Sequence, residues 1–369
     1  MNYSCRLLIS ILLVSVPVLA VQTAHAQGAE GNSLGGLQLF AAADLVAEFG
    51  MQNPPVDTGR LRVRGFEIAA FAPVDPLFDA LVNIAGHDEN GVIEMELHEA
   101  VISSTRLLPQ TRFKVGRFLL GVGRLNQSHS HDWPFTSPPK MQKVFFSEEA
   151  AIDTGGEIGR VLNLFGEDGV PVDIVVGMTN GWTYGHSHTG GRRPMMATHY
   201  VHPSFFFDLG ANRGFLLGLN YLGRTDADSI LTQLAGVDFT YKRREGRKLA
   251  TLVQGEVFYR RQSSSSLPDS EEIGGYVFSN FAVGDAGWSA GLRLDGFTTP
   301  SSRFLNGERR ENFDFAAVPV VSYKASEFST FRVSYTFGAE TRQGDDTRHE
   351  QKIELQLISI MGAHPAHDF

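Results

Sequence analysis

Lys352-Ile353-Glu354-Leu355-Gln356-Leu357 alternates polar and apolar residues without a break, and the chain runs on from it to an aromatic end at Phe369. A period of two puts Ile353, Leu355 and Leu357 on one face of an extended strand and Lys352, Glu354 and Gln356 on the other. One face suits an apolar medium and the other suits water. At the opposite end, residues 1–26 read as a cleaved secretory signal peptide. Arg6 supplies the positive n-region, an apolar run extends from Leu7 to Val21, and Ala24-His25-Ala26 forms an A-x-A cleavage site.

Beyond Ala26 no stretch approaches the roughly 18–20 apolar residues that a spanning helix needs. The mean hydropathy is -0.11, with 20% charged residues, 27 Phe and 39 Gly. A β-barrel wall has this composition, because lipid-facing residues alternate with lumen-facing polar ones and the average cancels. Cys5, the single cysteine, lies in the signal, so the mature chain has neither disulfides nor thiolate chemistry. The net charge is -9, and removal of Arg6 with the signal leaves -10. That balance opposes nucleic-acid binding, which needs a basic footprint.

About sixteen alternating segments follow the signal: 37–49, 60–72, 77–87, 92–106, 111–122, 155–165, 171–181, 197–210, 214–224, 230–243, 249–261, 272–283, 287–298, 312–324, 328–340 and 349–362. In several of them the faces are assignable. Val253, Val257 and Tyr259 face lipid while Gln254, Glu256 and Arg260 face inward. Phe331, Val333, Tyr335 and Phe337 alternate with Arg332, Ser334 and Thr336. The period breaks near Phe118 and at Phe205–Phe207.

Short turns such as Pro73–Leu77 and Gly284–Gly287 alternate with mostly longer links such as Gly123–Thr154, Trp182–Met196 and Thr298–Arg310. This is the expectation for a barrel with one short-turn rim and one long-loop rim. The predicted fold class is therefore all-β: one antiparallel transmembrane β-barrel of about 16 strands over residues 27–369. Sixteen strands leave room for an aqueous channel. A smaller barrel of twelve or fourteen strands is the runner-up, followed by a soluble sandwich or propeller.

The longest link, Gly123–Thr154, is the third loop of the long-loop rim. Pro134, Pro138 and Pro139 stiffen it, and Trp133 and Phe135 are placed to pin it to the inner wall. The candidate lining and constriction residues are Arg62, Arg64, Arg112 and Lys114 on one side, Glu94, Glu96, Asp238 and Glu256 elsewhere, and Asp132 and Trp133 on the loop. Rings of such charges set selectivity in channels. With both signs present, no anion or cation preference follows.

Histidines form the sharpest local pattern. His129 and His131 in the third loop, and His186 and His188 in the fourth, are two H-S-H pairs. On an extended chain residues i and i+2 share a face, so each pair offers two imidazoles to one ion. Tetrahedral zinc wants about four donors, and imidazole also suits copper and nickel. His199 and His202 fall at a loop base, and His364 and His367 form an H-x-x-H near the end. No cofactor is required by this reading, zinc being the ion the pairs would take.

In strand count, loop order, signal and terminal aromatic the chain resembles the bacterial outer-membrane porins. Phe113-Lys114-Val115-Gly116-Arg117-Phe118 resembles the strand leading into the third loop of phosphate-selective-type porins. The resemblance implies an outer-membrane location, insertion by the outer-membrane barrel assembly machinery, a third loop folded into the lumen, passive diffusion of small hydrophilic solutes or ions, and a homotrimer in the lipid bilayer. The tail Gly362–Phe369 is also similar to the ends of outer-membrane proteins described as zinc-regulated TonB-dependent receptors. True TonB-dependent receptors need a plug and about 22 strands, which 369 residues do not supply. A metal-associated receptor or transport barrel is therefore the alternative. A barrel hydrolase is the second alternative. Ser128, Ser130, His129, His131 and Asp132 contain the residue types of a triad, but they are neighbours on one loop, and triad members usually come from separated segments. No G-x-S-x-G elbow occurs, so the expectation is that the protein is not an enzyme.

Overall fold

The computed structural model describes residues 36–51, 60–89, 91–148, 150–164, 166, 169–181, 195–246, 248–264, 269–303, 309–343 and 347–362. Sixteen strands among them follow in chain order: β1 (Gln38–Gly50), β2 (Arg60–Pro73), β3 (Asp79–Glu89), β4 (Val92–Ser104), β5 (Thr111–Leu119), β6 (Ile152–Leu164), β7 (Val170–Thr179), β8 (Met196–Asp208), β9 (Arg213–Thr225), β10 (Leu231–Glu245), β11 (Lys248–Ser263), β12 (Ser270–Val283), β13 (Trp288–Arg303), β14 (Arg309–Lys324), β15 (Ser329–Arg342) and β16 (Arg348–Gly362). Each pairs antiparallel with the next, and β1 pairs with β16, so the sheet closes. The run from Lys352 to Leu357 forms this seam, with Leu357 opposite Leu45 and Glu354 opposite Glu48. The facing carboxylates are each neutralised, Glu354 by Lys352 at 3.0 Å and Glu48 by Arg62 at 2.7 Å. Every strand has a neighbour on both sides, the condition for a sheet in hydrocarbon, with the β4–β5 ladder the shortest at Ala100–Ser104.

The alternation separates two environments. On β13, Leu292 and Leu294 are each 42% exposed outward, whereas Arg293 and Asp295 are buried inward at 2% and 7%. Val257 on β11 and Phe331, Val333 and Phe337 on β15 are likewise exposed on the outer skin, while Gln254, Glu256, Ser334 and Thr336 are buried. An apolar outer skin over a polar interior is the arrangement of a barrel that sits in a membrane.

Three of the five register shifts among the described residues bear on this alternation. Asp44 lies opposite Gly65 and Leu45 opposite Val63, so Arg64 is the extra residue of a β-bulge. Asn83 lies opposite Glu99 and Ile84 opposite Leu97, which makes His98 the extra residue of another. Below Arg64 the inward phase moves from even to odd positions, and buried Glu67 and Ala69 take it up. The third shift lies between Thr299 and Ser302, around Pro300. Proline has no N–H for the ladder and is tolerated at a bulge. The pairing therefore continues to Arg303 and resumes at Arg309, where the sequence reading ended the strand at residue 298 and began the next at 312.

Candidate functional site: a loop docked in the lumen

The segment joining β5 to β6 turns into the barrel and buries its apolar side chains there. It contains two single 3-10 turns, Leu125–Gln127 and Ser130–Asp132, and a short helix α1 (Lys140–Phe146). Trp133, Phe135, Met141 and Phe146 are essentially inaccessible. Phe135 meets Tyr276 and Phe278 of β12 edge-to-face, at 5.6 and 5.3 Å between centroids. Phe146 does the same with Phe258 of β11 at 5.2 Å. The helix approaches β12 closely because Gly274 has no side chain, and a Cβ there would lie 2.7 Å from that of Met141. Trp133 turns its indole N–H back to the loop, to the carbonyls of Leu125 at 3.1 Å and Ser128 at 3.2 Å. Phe135 is therefore the anchor on the wall, and Trp133 braces the loop.

Polar contacts fix the loop's backbone. Where it leaves the wall, three successive N–H groups find acceptors. Gly123 donates to Asn220 Oδ1 at 2.7 Å, Arg124 to Glu256 Oε2 at 3.0 Å, and Leu125 to Glu256 Oε1 at 2.8 Å. Tyr276 adds its hydroxyl to the same carboxylate at 3.0 Å. Gly123 has φ +71°, and a Cβ would come within 2.7 Å of Glu256 Oε2, so only glycine fits. Further along, guanidinium groups of the wall donate to loop carbonyls: Arg64 to Thr136, Arg293 to Ser137, and Arg260 to Val144 at 2.9 Å. Arg293 also stands 4.6 Å over the ring of Phe135. At the base, Asn126 joins both ends of the loop, donating to the Leu120 carbonyl at 2.8 Å and accepting from the Ala151 N–H at 2.6 Å.

The loop divides the lumen. Towards the long-loop rim lies a cavity of about 890 Å³ bordered by Lys140, Arg293, Asp314, Glu340 and Arg348. Towards the short-turn rim lie two more. One, of about 410 Å³, lies between the loop and the β2–β6 wall beside Glu67, Glu99, Arg112, Lys114 and His129. The other, of about 430 Å³, is lined by Arg124, Asp132, Lys242, Lys324 and Arg332.

The charges singled out in the sequence fall into two groups. Arg62, Arg64, Arg112 and Lys114 point inward, paired with Glu48, Asp44, Asp173 and Glu157 respectively. Asp238 and Glu256 are only 1% exposed. Glu256 holds the loop backbone, and Asp238 takes hydrogen bonds from Asn220 at 2.6 Å and from His202 at 3.1 Å. These two carboxylates thus serve as internal scaffolding. Glu94 stands opposite His87 in the β3–β4 ladder, and Glu96 one pleat further on approaches His87 and His98. His199 and His202 sit within β8 rather than at a loop base. His186, His188, the pair near the end and the terminal Phe369 lie outside the described residues.

His129 and His131 instead meet residues that periodicity did not bring forward. His87, His98, His129 and His131 form a row of near-parallel rings spaced 5.2, 5.8 and 5.7 Å. Glu67 bridges the loop histidines, with Oε2 3.3 Å from His129 Nδ1 and Oε1 3.1 Å from His131 Nδ1. Glu99 stands 3.0 Å from His129 Nε2. Burial disfavours a charge on His129, yet Glu67 and Glu99 prevail and hold its pKa well above the ordinary imidazole range. Ligand atoms of Glu67, His98 and His129 all lie within 4.8 Å of one another, as do those of His87, Glu96 and His98. The bulge at His98 is the cause, because it turns His98 and Glu99 inward together. A bulge has no fixed sequence signal, and Asn83, Glu67 and Glu99 were not singled out in the sequence.

No known family model matches the chain. An uncharacterized protein of Aquifex aeolicus is 25% identical over 344 residues, spanning 83% of this chain and 70% of that protein. Among solved structures, an anion-selective porin from Comamonas acidovorans superposes with a TM-score of 0.57 at 10% identity, covering 88% of this chain and 99% of the porin. In vitro folded OmpT, an outer membrane protein of Vibrio cholerae in trimer form, gives 0.55 at 10% identity over 88% and 99%. The chain thus shares the barrel fold of these porins, and its apolar outer skin is that of a barrel set in a membrane.

Proposed function

We propose that this barrel of porin fold is a passive channel for small hydrophilic solutes, filtered where the loop around His129–Phe135 lies in the lumen. The observation that carries the reading is the docked loop with water-sized space on both sides of it. Diffusion needs no covalent chemistry. It needs a polar wall, a narrowed section and charges that exclude apolar solutes. Most inward cations are paired, which leaves local fields rather than a strong net potential. The cavity beneath Trp133 is lined by four cations, Arg124, Lys242, Lys324 and Arg332, and one carboxylate, Asp132. This balance supports a modest anion preference, and the anion-selective porin of the same fold agrees with it. The trimeric relative likewise supports a homotrimer.

Planar-bilayer recording tests the proposal. A channel gives stepwise conductance, and a salt gradient gives a reversal potential of the sign set by anion flow. A reconstituted barrel with no conductance steps would refute the channel. A reversal potential of cation sign would refute the preference alone.

A further inference from the structure

We propose that Glu67, His98 and His129 bind a divalent transition metal of zinc's class, joining the docked loop to the barrel wall. This goes beyond solute passage and does not depend on it. The three ligand atoms come from three places: β2, the bulge of β4, and the loop. They lie within 4.8 Å of one another. Zinc bonds of about 2.0–2.2 Å in a tetrahedral site set donors roughly 3.3 Å apart, so small side-chain rotations close the set. Two imidazoles and one carboxylate suit zinc, copper or nickel, and are a poor match for calcium or magnesium, which take oxygen ligands.

The surroundings are built as an outer shell. Asn83 donates to Glu67 Oε2 at 2.7 Å, and His131 holds the other oxygen of that carboxylate. Such partners orient ligands and tune their affinity. His98 has a further neighbour in His87, with the two Nε2 atoms 3.2 Å apart. Glu96 joins this pair as a reserve set of donors. Asn83 Oδ1 is buried with no hydrogen-bond partner among the described residues. The competing account is an ion-paired network in which His129 is held between Glu67 and Glu99, with no metal.

The test uses untagged full-length mature protein in detergent, stripped with chelator. Zinc is titrated by calorimetry and cobalt by visible absorption, whose band intensity reports four- or five-coordination. The expected result is one tightly held ion, with affinity falling at least about 10-fold in each of His98→Gln, His129→Gln and Glu67→Gln. The double variant His186→Ala/His188→Ala should bind like the parent. Folding of every variant is checked by heat-modifiable electrophoresis. Should the wall variants fail to fold, His129→Gln, on the loop, decides by itself. No uptake of zinc or cobalt by the parent overturns the proposal. So does binding that survives His129→Gln, or binding lost in the His186/His188 double variant. Bilayer recording of the same preparation keeps failure of the channel reading distinct from failure of this one.

Discussion

The carboxylate of Glu256 accepts the backbone N–H of Leu125 at 2.8 Å, and through this contact β11 sets where the third long loop enters the lumen. Without Glu256, two backbone donors would remain in a site from which water is largely excluded. An unmet buried donor costs about 1–3 kcal/mol. Glu256→Ala should therefore loosen the loop and give larger, noisier conductance steps, with a lower thermal unfolding midpoint. Conductance equal to the parent would show that the aromatic contacts hold the loop unaided.

Gly123→Ala tests the same junction from the other side. The residue has φ +71°, and its new Cβ would press on Glu256 Oε2. A left-handed conformation costs a non-glycine residue about 1–2 kcal/mol, before the crowding is added. Thermal unfolding in detergent should show a loss of at least this size, and Gly123→Ala/Glu256→Ala, where the crowding is gone, should lose less than the sum of the two single variants.

Phe135→Ala removes an anchor that touches Tyr276, Phe278 and the Arg293 guanidinium. Loss of a fully buried phenylalanine costs about 3–5 kcal/mol. The barrel wall is hydrogen-bonded independently, so the loss should fall on loop docking. Limited proteolysis within the loop should accelerate while the barrel stays heat-modifiable.

The pH dependence of loop docking in metal-free protein follows from His129. It faces Glu67 from β2, Glu99 and His98 from β4, and Asn83 from β3, with His131 beside it on the loop and Lys114 of β5 beyond Glu99. Its pKa is raised in the folded protein. The stabilisation is fully present below the unfolded value of about 6.5 and is lost as pH rises through the elevated folded value. Proteolysis of the loop should therefore quicken in alkaline buffer, and His129→Gln should flatten that dependence.

The outer skin is tested by Leu294→Arg. Leu294 projects outward from β13, whereas Thr336 on β15 faces inward. An arginine facing lipid near the midplane costs about 2–4 kcal/mol. Folding into vesicles should be impaired for Leu294→Arg and much less so for Thr336→Arg. Equal effects would contradict the assignment of faces.

By itself the sequence determined the wall. The alternation of Ile353, Leu355 and Leu357 with Lys352, Glu354 and Gln356 is a local property, because successive side chains of a strand point to opposite faces whatever surrounds them. Strand number, the order of short and long links, and the inward direction of Arg62, Arg112 and Lys114 were legible for the same reason. Asp238 and Glu256 were legible as inward, but not as scaffold, because their partners lie on the loop and on other strands. Only the tertiary structure decided that His129 meets Glu67, Glu99 and His98. That meeting depends on bulges at Arg64 and His98, each of which shifts the phase of a strand by one residue, and on a loop whose path is fixed by distant contacts, such as that between Arg293 and Ser137, 156 residues apart. Periodicity reports the direction of a side chain relative to its own strand. Which residue it meets across the barrel is set by closure and packing.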